Sequence, residues 1–217
     1  MSIKTKKLTA IAMLSALTYV FMFASKIIPP IEGFLQYDAK DVVITIGGFV
    51  YGPVATVFIS VIVAFLEFIS VSHTGPIGLL MNIISTVAFS FTAACIYSRK
   101  KTLFGAFLSL FAATVTLIVI MLLWNYFITP LYMGVPQSVI KSMLLTVFLP
   151  FNAVKGIINS GFILFMYRPV VLVLQKTGLV ERKSKNEHKS IISTTFFIGI
   201  AIIAVFIPVI LMMANII

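Results

Sequence analysis

The sequence predicts an all-α integral membrane protein: a bundle of six transmembrane helices followed by a seventh apolar helix at the C-terminal end. Three observations carry this. Hydrophobic residues make up 60% of the 217 positions and charged residues only 10%, where soluble domains carry about 25% charged residues. The apolar residues fall in runs of about 20, the length that crosses a bilayer. The basic residues cluster between those runs, alternating with them as topology signals do.

The first apolar stretch is Leu8 to Ile28, interrupted by Lys26 near its end. A second, Val42 to Val50, spans roughly half a crossing by itself. Gly52-Pro53 ends it, and Val54 to Val71 forms a strong span. Ile77 to Tyr97 and Leu103 to Phe127 supply two more. Val139 to Leu174 is too long for one simple crossing. Because proline is best placed in the first turn of a helix, the crossing is expected to start near Pro150 and end near Leu174. Val139 to Leu149 then becomes a shorter outer segment, amphipathic or re-entrant. Ile191 to Ile217 is the final span, interrupted by Pro208. The expected organisation is a membrane domain over 1–178, a basic cytoplasmic linker over 179–190 and an added helix over 191–217.

Charge placement supports the short second helix. Lys4, Lys6 and Lys7 precede the first span; Arg99, Lys100 and Lys101 lie between the fourth and fifth. Arg168, Lys176, Arg182, Lys183, Lys185 and Lys189 surround the connection from the sixth to the seventh. All three clusters fall on one side only if Val42 to Val50 crosses. The positive-inside rule then puts the N-terminus in the cytoplasm and the C-terminus outside. The net charge of +10 is accounted for by these clusters facing anionic inner-leaflet lipid, so nucleic-acid binding is not expected. The opening segment is expected to be a retained helix, since its apolar run is too long for a signal peptide and no small-x-small site follows it. The single cysteine, Cys95, cannot form an internal disulfide. It is expected to pack as a small apolar residue.

The expected outer side carries the chemistry. The first loop, Pro29 to Lys40, reads PPIEGFLQYDAK and holds Glu32, Tyr37 and Asp38, with Asp41 just beyond. It is either a solvated hairpin or a lid over a site. Asp38 and Asp41 are equally well placed to cap the second helix. Polar residues at membrane depth are costly and usually have a task. Asn152, Lys155 and Asn159 share one helix face by their spacing. Asn125 near the end of the fifth helix, beside Trp124, and Asn82 in the fourth are further candidates, with Phe151 among the neighbouring aromatics. Glu67 lies near the outer end of the third helix, and His73 just past it. As interhelical glue, the amides would bridge helices and Lys155 would pair with Glu67 or Asp41. As a binding site, the stripe and its aromatics suit a flat molecule with polar edges.

Catalytic readings find no support: the sequence has no HExxH metal motif, no Cys/His cluster and no GxxxxGK[ST] phosphate loop. No enzyme activity, metal or cofactor is expected, and uphill transport would require an energising partner. Ala12 and Ala16 in the first helix form a small-xxx-small pattern of the kind that lets another helix approach.

Over roughly residues 8 to 178 the chain resembles the riboflavin-specific substrate-binding subunits (S components, RibU type) of energy-coupling factor transporters. The stretches that carry the resemblance are AIAMLSAL, YDAKDVVITIGGFVYGPVAT, TGPIGLLMNIISTVAF, WNYFITPLY and LPFNAVKGIINS. The resemblance implies a six-helix fold, high-affinity vitamin capture at the outer face, and assembly with a transmembrane coupling subunit and two cytoplasmic ATPases. It implies toppling as the transport step, with Ala12 and Ala16 as the contact to the coupling subunit. Asn125, Asn152 and Lys155 would carry over as vitamin-binding residues, with Pro29 to Lys40 as the covering loop; Asn159, Asn82, Tyr37, Asp38, Trp124 and Phe151 complete the candidate riboflavin-binding set. Alternatives are an S component for another small vitamin, a membrane scaffold, or a facilitator without ATPases. The segment from Glu181 to Ile217 has no counterpart in the six-helix pattern.

Overall fold

In the computed structural model, residues 3–31, 35–72, 74–180 and 189–214 are described. Glu32, His73 and most of the expected linker lie outside that set. The helices are α1 (Ile3–Ser25), α2 (Lys40–Tyr51), α3 (Pro53–Ser70), α4 (Gly75–Arg99), α5 (Leu103–Phe127), α6 (Thr129–Met133), α7 (Gln137–Met143), α8 (Leu149–Lys176) and α9 (Lys189–Met213). A π-helical turn, Leu144–Phe148, joins α7 to α8. Among the described residues there is no strand; Ile31 and Leu35 form one isolated bridge. Among the described residues, six helical stretches are long and apolar enough to cross a membrane: those of α1, α3, α4, α5, the continuous run Gln137–Lys176, and α9. Together with the short α2 they give the expected all-α bundle.

α2 is short because it is the buried centre rather than a lipid-facing rod. Val42, Val43, Ile44 and Ile46 are completely buried. Gly48 lets α2 close on two neighbours at once: a Cβ there would lie 2.3 Å from Thr56 Cγ2 and 2.8 Å from Ala94 Cβ. Gly52, at φ +92°, then turns the chain directly into α3, with Pro53 at its start. That left-handed conformation is open to glycine and strained for other residues, and proline's missing N–H costs nothing at a helix start.

The expected break at Pro150 is milder than a new helix start. Pro150 does sit in the first turn of α8, but the preceding segment is continuous with it. The π-helical turn carries the chain through, so Val139 to Leu149 belongs to one long helical run, Gln137–Lys176, and is not a separate piece. Pro169 and Pro208 likewise sit inside α8 and α9 without ending them, as neighbouring groups in transmembrane bundles allow.

Alternation of the helices puts the α1–α2 loop, α6 and α7 at one end of the bundle. Lys100, Lys101 and Lys176 lie at the other, where Tyr51 Oη donates to Leu179 O at 3.3 Å. Replacing Gly48 with valine should wedge α2 away from α3 and α4 and cost about 1–3 kcal/mol, the usual range for overpacking a core. A thermal unfolding midpoint in detergent equal to that of the unaltered protein would refute this packing.

Candidate functional site

Few charged residues are available, so their positions are informative. Six acidic residues stand against sixteen basic ones, and three of the six, Asp38, Asp41 and Glu67, are buried within the bundle. They meet three lysines, giving a polar centre of zero formal charge. Buried charge at membrane depth persists only when paired in this way.

The centre has two halves of different tightness. In the first, Glu67 at the end of α3 receives Lys26 Nζ at 2.8 Å and Lys40 Nζ at 2.7 Å, one on each oxygen. Lys40, 1% exposed, also pairs with Asp38, whose Oδ1 accepts from the Lys40 backbone N–H at 2.9 Å. This ties the end of α1, the loop exit and the start of α2 to α3. Burial pushes the Asp38 carboxyl up, but the charges of Lys40 and Lys155 outweigh it and hold the group below its ordinary value. Burial raises Tyr37 far above a normal phenol, so its hydroxyl stays protonated and donates.

In the second half the contacts are long. Lys155 Nζ lies 3.4 Å from Asp41 Oδ2 and 3.4 Å from Ser85 Oγ. Asn159 Nδ2 reaches Asp41 Oδ2 at 3.3 Å and Asp38 O at 3.4 Å. Only the Tyr37 hydroxyl makes a short bond here, 2.9 Å to Asn159 Oδ1. Asp41 Oδ1 and Thr86 Oγ1 are buried with no hydrogen-bond partner among the described residues. Thr86 follows Ser85 in the chain and lies one turn before Ser90, whose hydroxyl approaches Asp41 O at 3.5 Å. A buried carboxylate oxygen without a donor is uncommon enough to require a reason.

The structure therefore gathers Tyr37, Asp38, Lys155 and Asn159 from the sequence-derived candidates. The remaining ones bond or pack elsewhere. Asn152 Nδ2 donates back to Phe148 O at 2.7 Å. Asn125 Nδ2 donates to Met121 O at 2.7 Å while its oxygen accepts from Thr129. Phe151 is buried in the apolar cluster under the loop and Trp124 packs on the main core. Asn82 is half-buried on α4. Of the two capping readings, Asp38 caps the Lys40 amide, and Asp41 occupies the favourable first turn of α2 without a cap bond. Of the two pairings weighed for Lys155, Asp41 is the one formed, and Glu67 pairs with Lys26 and Lys40 instead. The sequence reading missed Lys26, Lys40, Ser85 and Thr86 as members. For Lys40 a signal exists: in DAKDVV a lysine flanked by acids abuts an apolar run. Among the described residues no group of three or more His, Cys, Asp or Glu is arranged to hold a metal ion.

Apolar helices around a charge-neutral polar centre define a multi-pass membrane protein, and comparison narrows this. A model of the family described as "ECF transporter, substrate-specific component" matches residues 6–167, and the chain belongs to that family. It is thus not an enzyme. Similar proteins include the riboflavin transporter RibU of Staphylococcus aureus (strain TCH60), 28% identical over 80% of this chain and 94% of that protein. The riboflavin transporter FmnP of Bacillus subtilis (strain 168) is 30% identical over 85% of this chain and 100% of that protein. A solved S component of a bacterial ECF transporter superposes with a TM-score of 0.68 at 28% identity, covering 79% of this chain and 99% of that one.

Removing the charge of Glu67 leaves Lys40 buried with one counter-charge fewer. Glu67→Gln should therefore destabilise the fold by about 3 kcal/mol, the scale for breaking a buried pair. Denaturation in detergent measures this, and a loss below about 0.5 kcal/mol would show that the pairing contributes no more than an exposed salt bridge.

Proposed function

We propose that the protein is the riboflavin-binding S component of an ECF transporter, capturing the vitamin from outside the cell and passing it inward. The observation that carries the reading is the loose half of the polar centre. Asp41 Oδ1 and Thr86 Oγ1 lack partners while Lys155 stands at the limit of hydrogen-bond range. A ligand with hydroxyl donors and carbonyl acceptors completes all three. Riboflavin has both: ribityl hydroxyls to donate to Asp41, and a uracil-like edge to accept from Lys155 and Asn159. Its flat ring suits aromatic surroundings, which Phe151 on α8 and Trp124 on α5 would supply from two separate apolar clusters. Asn125, Asn152 and Asn82 are the reserve of amides, the first two exchanging a bond to their own helix for one to the ligand. The names of the relatives support the choice of vitamin.

The loop from residue 29 to Lys40 is the cover of the site and faces outward. The N-terminus is cytoplasmic and the C-terminus is outside, in keeping with the shared side of the basic clusters. Delivery uses a transmembrane coupling subunit and two ATPases, since the chain has no nucleotide motif of its own. Ala12 and Ala16 are the contact to the coupling subunit: both are exposed, while Ala10, Ile11, Leu14 and Ser15 behind them are buried. The apolar bundle domain over 1–178 does the binding, and the remainder is an addition to it.

Two experiments separate these roles. Lys155→Met and Asn159→Ala should each weaken riboflavin binding by about 1–3 kcal/mol, the cost of stranding a buried polar partner. Fluorescence titration reads it, and unchanged affinity in both variants would remove the stripe from the site. Ala12→Leu with Ala16→Leu should leave binding within about twofold yet abolish uptake by cells, because close helix approach requires small residues. Normal uptake would move the partner contact elsewhere.

A further inference from the structure

The family match ends at residue 167, inside α8, so α9 lies beyond it. Its packing is nevertheless specific. Among the described residues of α9 and the turn that follows it, only Gly199, Ile210 and Ala214 are buried, while Phe197, Ile200, Val205 and Met212 are exposed. About three helical turns separate Gly199 from Ile210, and Ala214 follows one turn later, so all three share one face. That face has two anchor points. At the first, α9 crosses α8 backbone to backbone: a Cβ on Gly199 would fall 2.7 Å from both Gly161 O and Phe165 N. Phe196 and Phe165 stack beside it at 4.9 Å. At the second, Ile210 and Ala214 join the apolar cluster that contains Ile31, Leu35 and Tyr37 of the α1–α2 loop.

Ile31 and Leu35 exchange two backbone hydrogen bonds of 2.9 Å each, and both side chains are buried, at 3% and 6% exposure, although they belong to a loop. Between loop and helix lies an apolar cavity of about 230 Å³, walled by Phe21, Ile28, Tyr37, Ala39, Ile207 and Ile210. The loop is thus seated against α9 across a partly empty gap. It is held on the other side by Tyr37 and Asp38 in the polar centre.

We propose that α9 is a positioning element for the loop over the binding site. Gly199 docks the helix on α8, and Ile210 with Ala214 forms the wall that keeps Ile31, Leu35 and Tyr37 seated. The seating of Ile31 and Leu35 rests on α9 whatever the ligand is; its effect on ligand retention rests on the riboflavin reading above.

The test uses the full chain with Gly199→Leu, which lifts α9 from α8, and Ile210→Ala, which removes only the outer anchor. Hydrogen exchange of the Leu35 amide in ligand-free protein should accelerate about tenfold in both, with α5 amides unchanged, as expected when a locally closed segment loses its cover. The riboflavin dissociation rate should rise about tenfold with the association rate within about twofold, since retention is governed by release. Unchanged Leu35 exchange in Ile210→Ala, or in a Gly199→Leu protein whose α9 amides have become labile, would overturn the proposal. Should Gly199→Leu not fold, Ile210→Ala decides alone. Should the unaltered protein not bind riboflavin, the exchange measurement still decides the role of α9, and only the ligand assignment falls.

Discussion

A cation brought to membrane depth must be matched there, and the bridge from Lys26 and Lys40 to Glu67 shows what that requirement imposes. Lys40 is buried to 1% exposure at the first position of α2. It can stay charged only with Asp38 on one side and Glu67 on the other. Satisfying it fixes three things together: the end of α1 through Lys26, the loop exit through Asp38, and the tip of α3 through Glu67. Once these are fixed, α2 must enter the centre of the bundle with Asp41 in its first turn. That is how Asp41 comes to face Lys155 and Asn159 on α8. The site exists because the network that frames it has no freedom to relax away.

The contrast between the two halves separates structure from function. The Glu67 half has bonds of 2.7 and 2.8 Å to its lysines; the Lys155 half has contacts of 3.3 to 3.4 Å and a carboxylate oxygen left bare. A network serving only as interhelical glue would have no reason to leave a fully buried acceptor open. On the proposed reading, a ligand's hydroxyls and carbonyls would offset that cost only when bound, which is a basis for both affinity and selectivity.

The sequence made the helices legible because each long apolar run has one solution in a bilayer. It made even the short α2 legible, since the basic clusters fall on one side only if it crosses. The stripe of Lys155 and Asn159 followed from spacing on one helix. The partners did not follow, because pairing across helices depends on rotation about each axis, which spacing within a helix does not set. Lys155 had two acidic partners on offer, and the choice between them was fixed by Lys40 claiming Glu67. The same limit explains Asn125 and Asn152. Their types and depth mark them as candidates, but spacing alone does not reveal that their amides bond back to Met121 O and Phe148 O. The role of α9 was illegible for another reason: a uniformly apolar helix gives no sign of which face is buried, and Gly199 acquires meaning only opposite Gly161.

The most direct test of the central claim is titration of riboflavin fluorescence with the detergent-purified, full-length protein. Saturable quenching at one vitamin per chain, weakened when Asp41 is replaced by alanine in a protein that remains folded, is the predicted result. Unquenched fluorescence at micromolar protein would contradict the account, because the open acceptor on Asp41 would then belong to some other ligand.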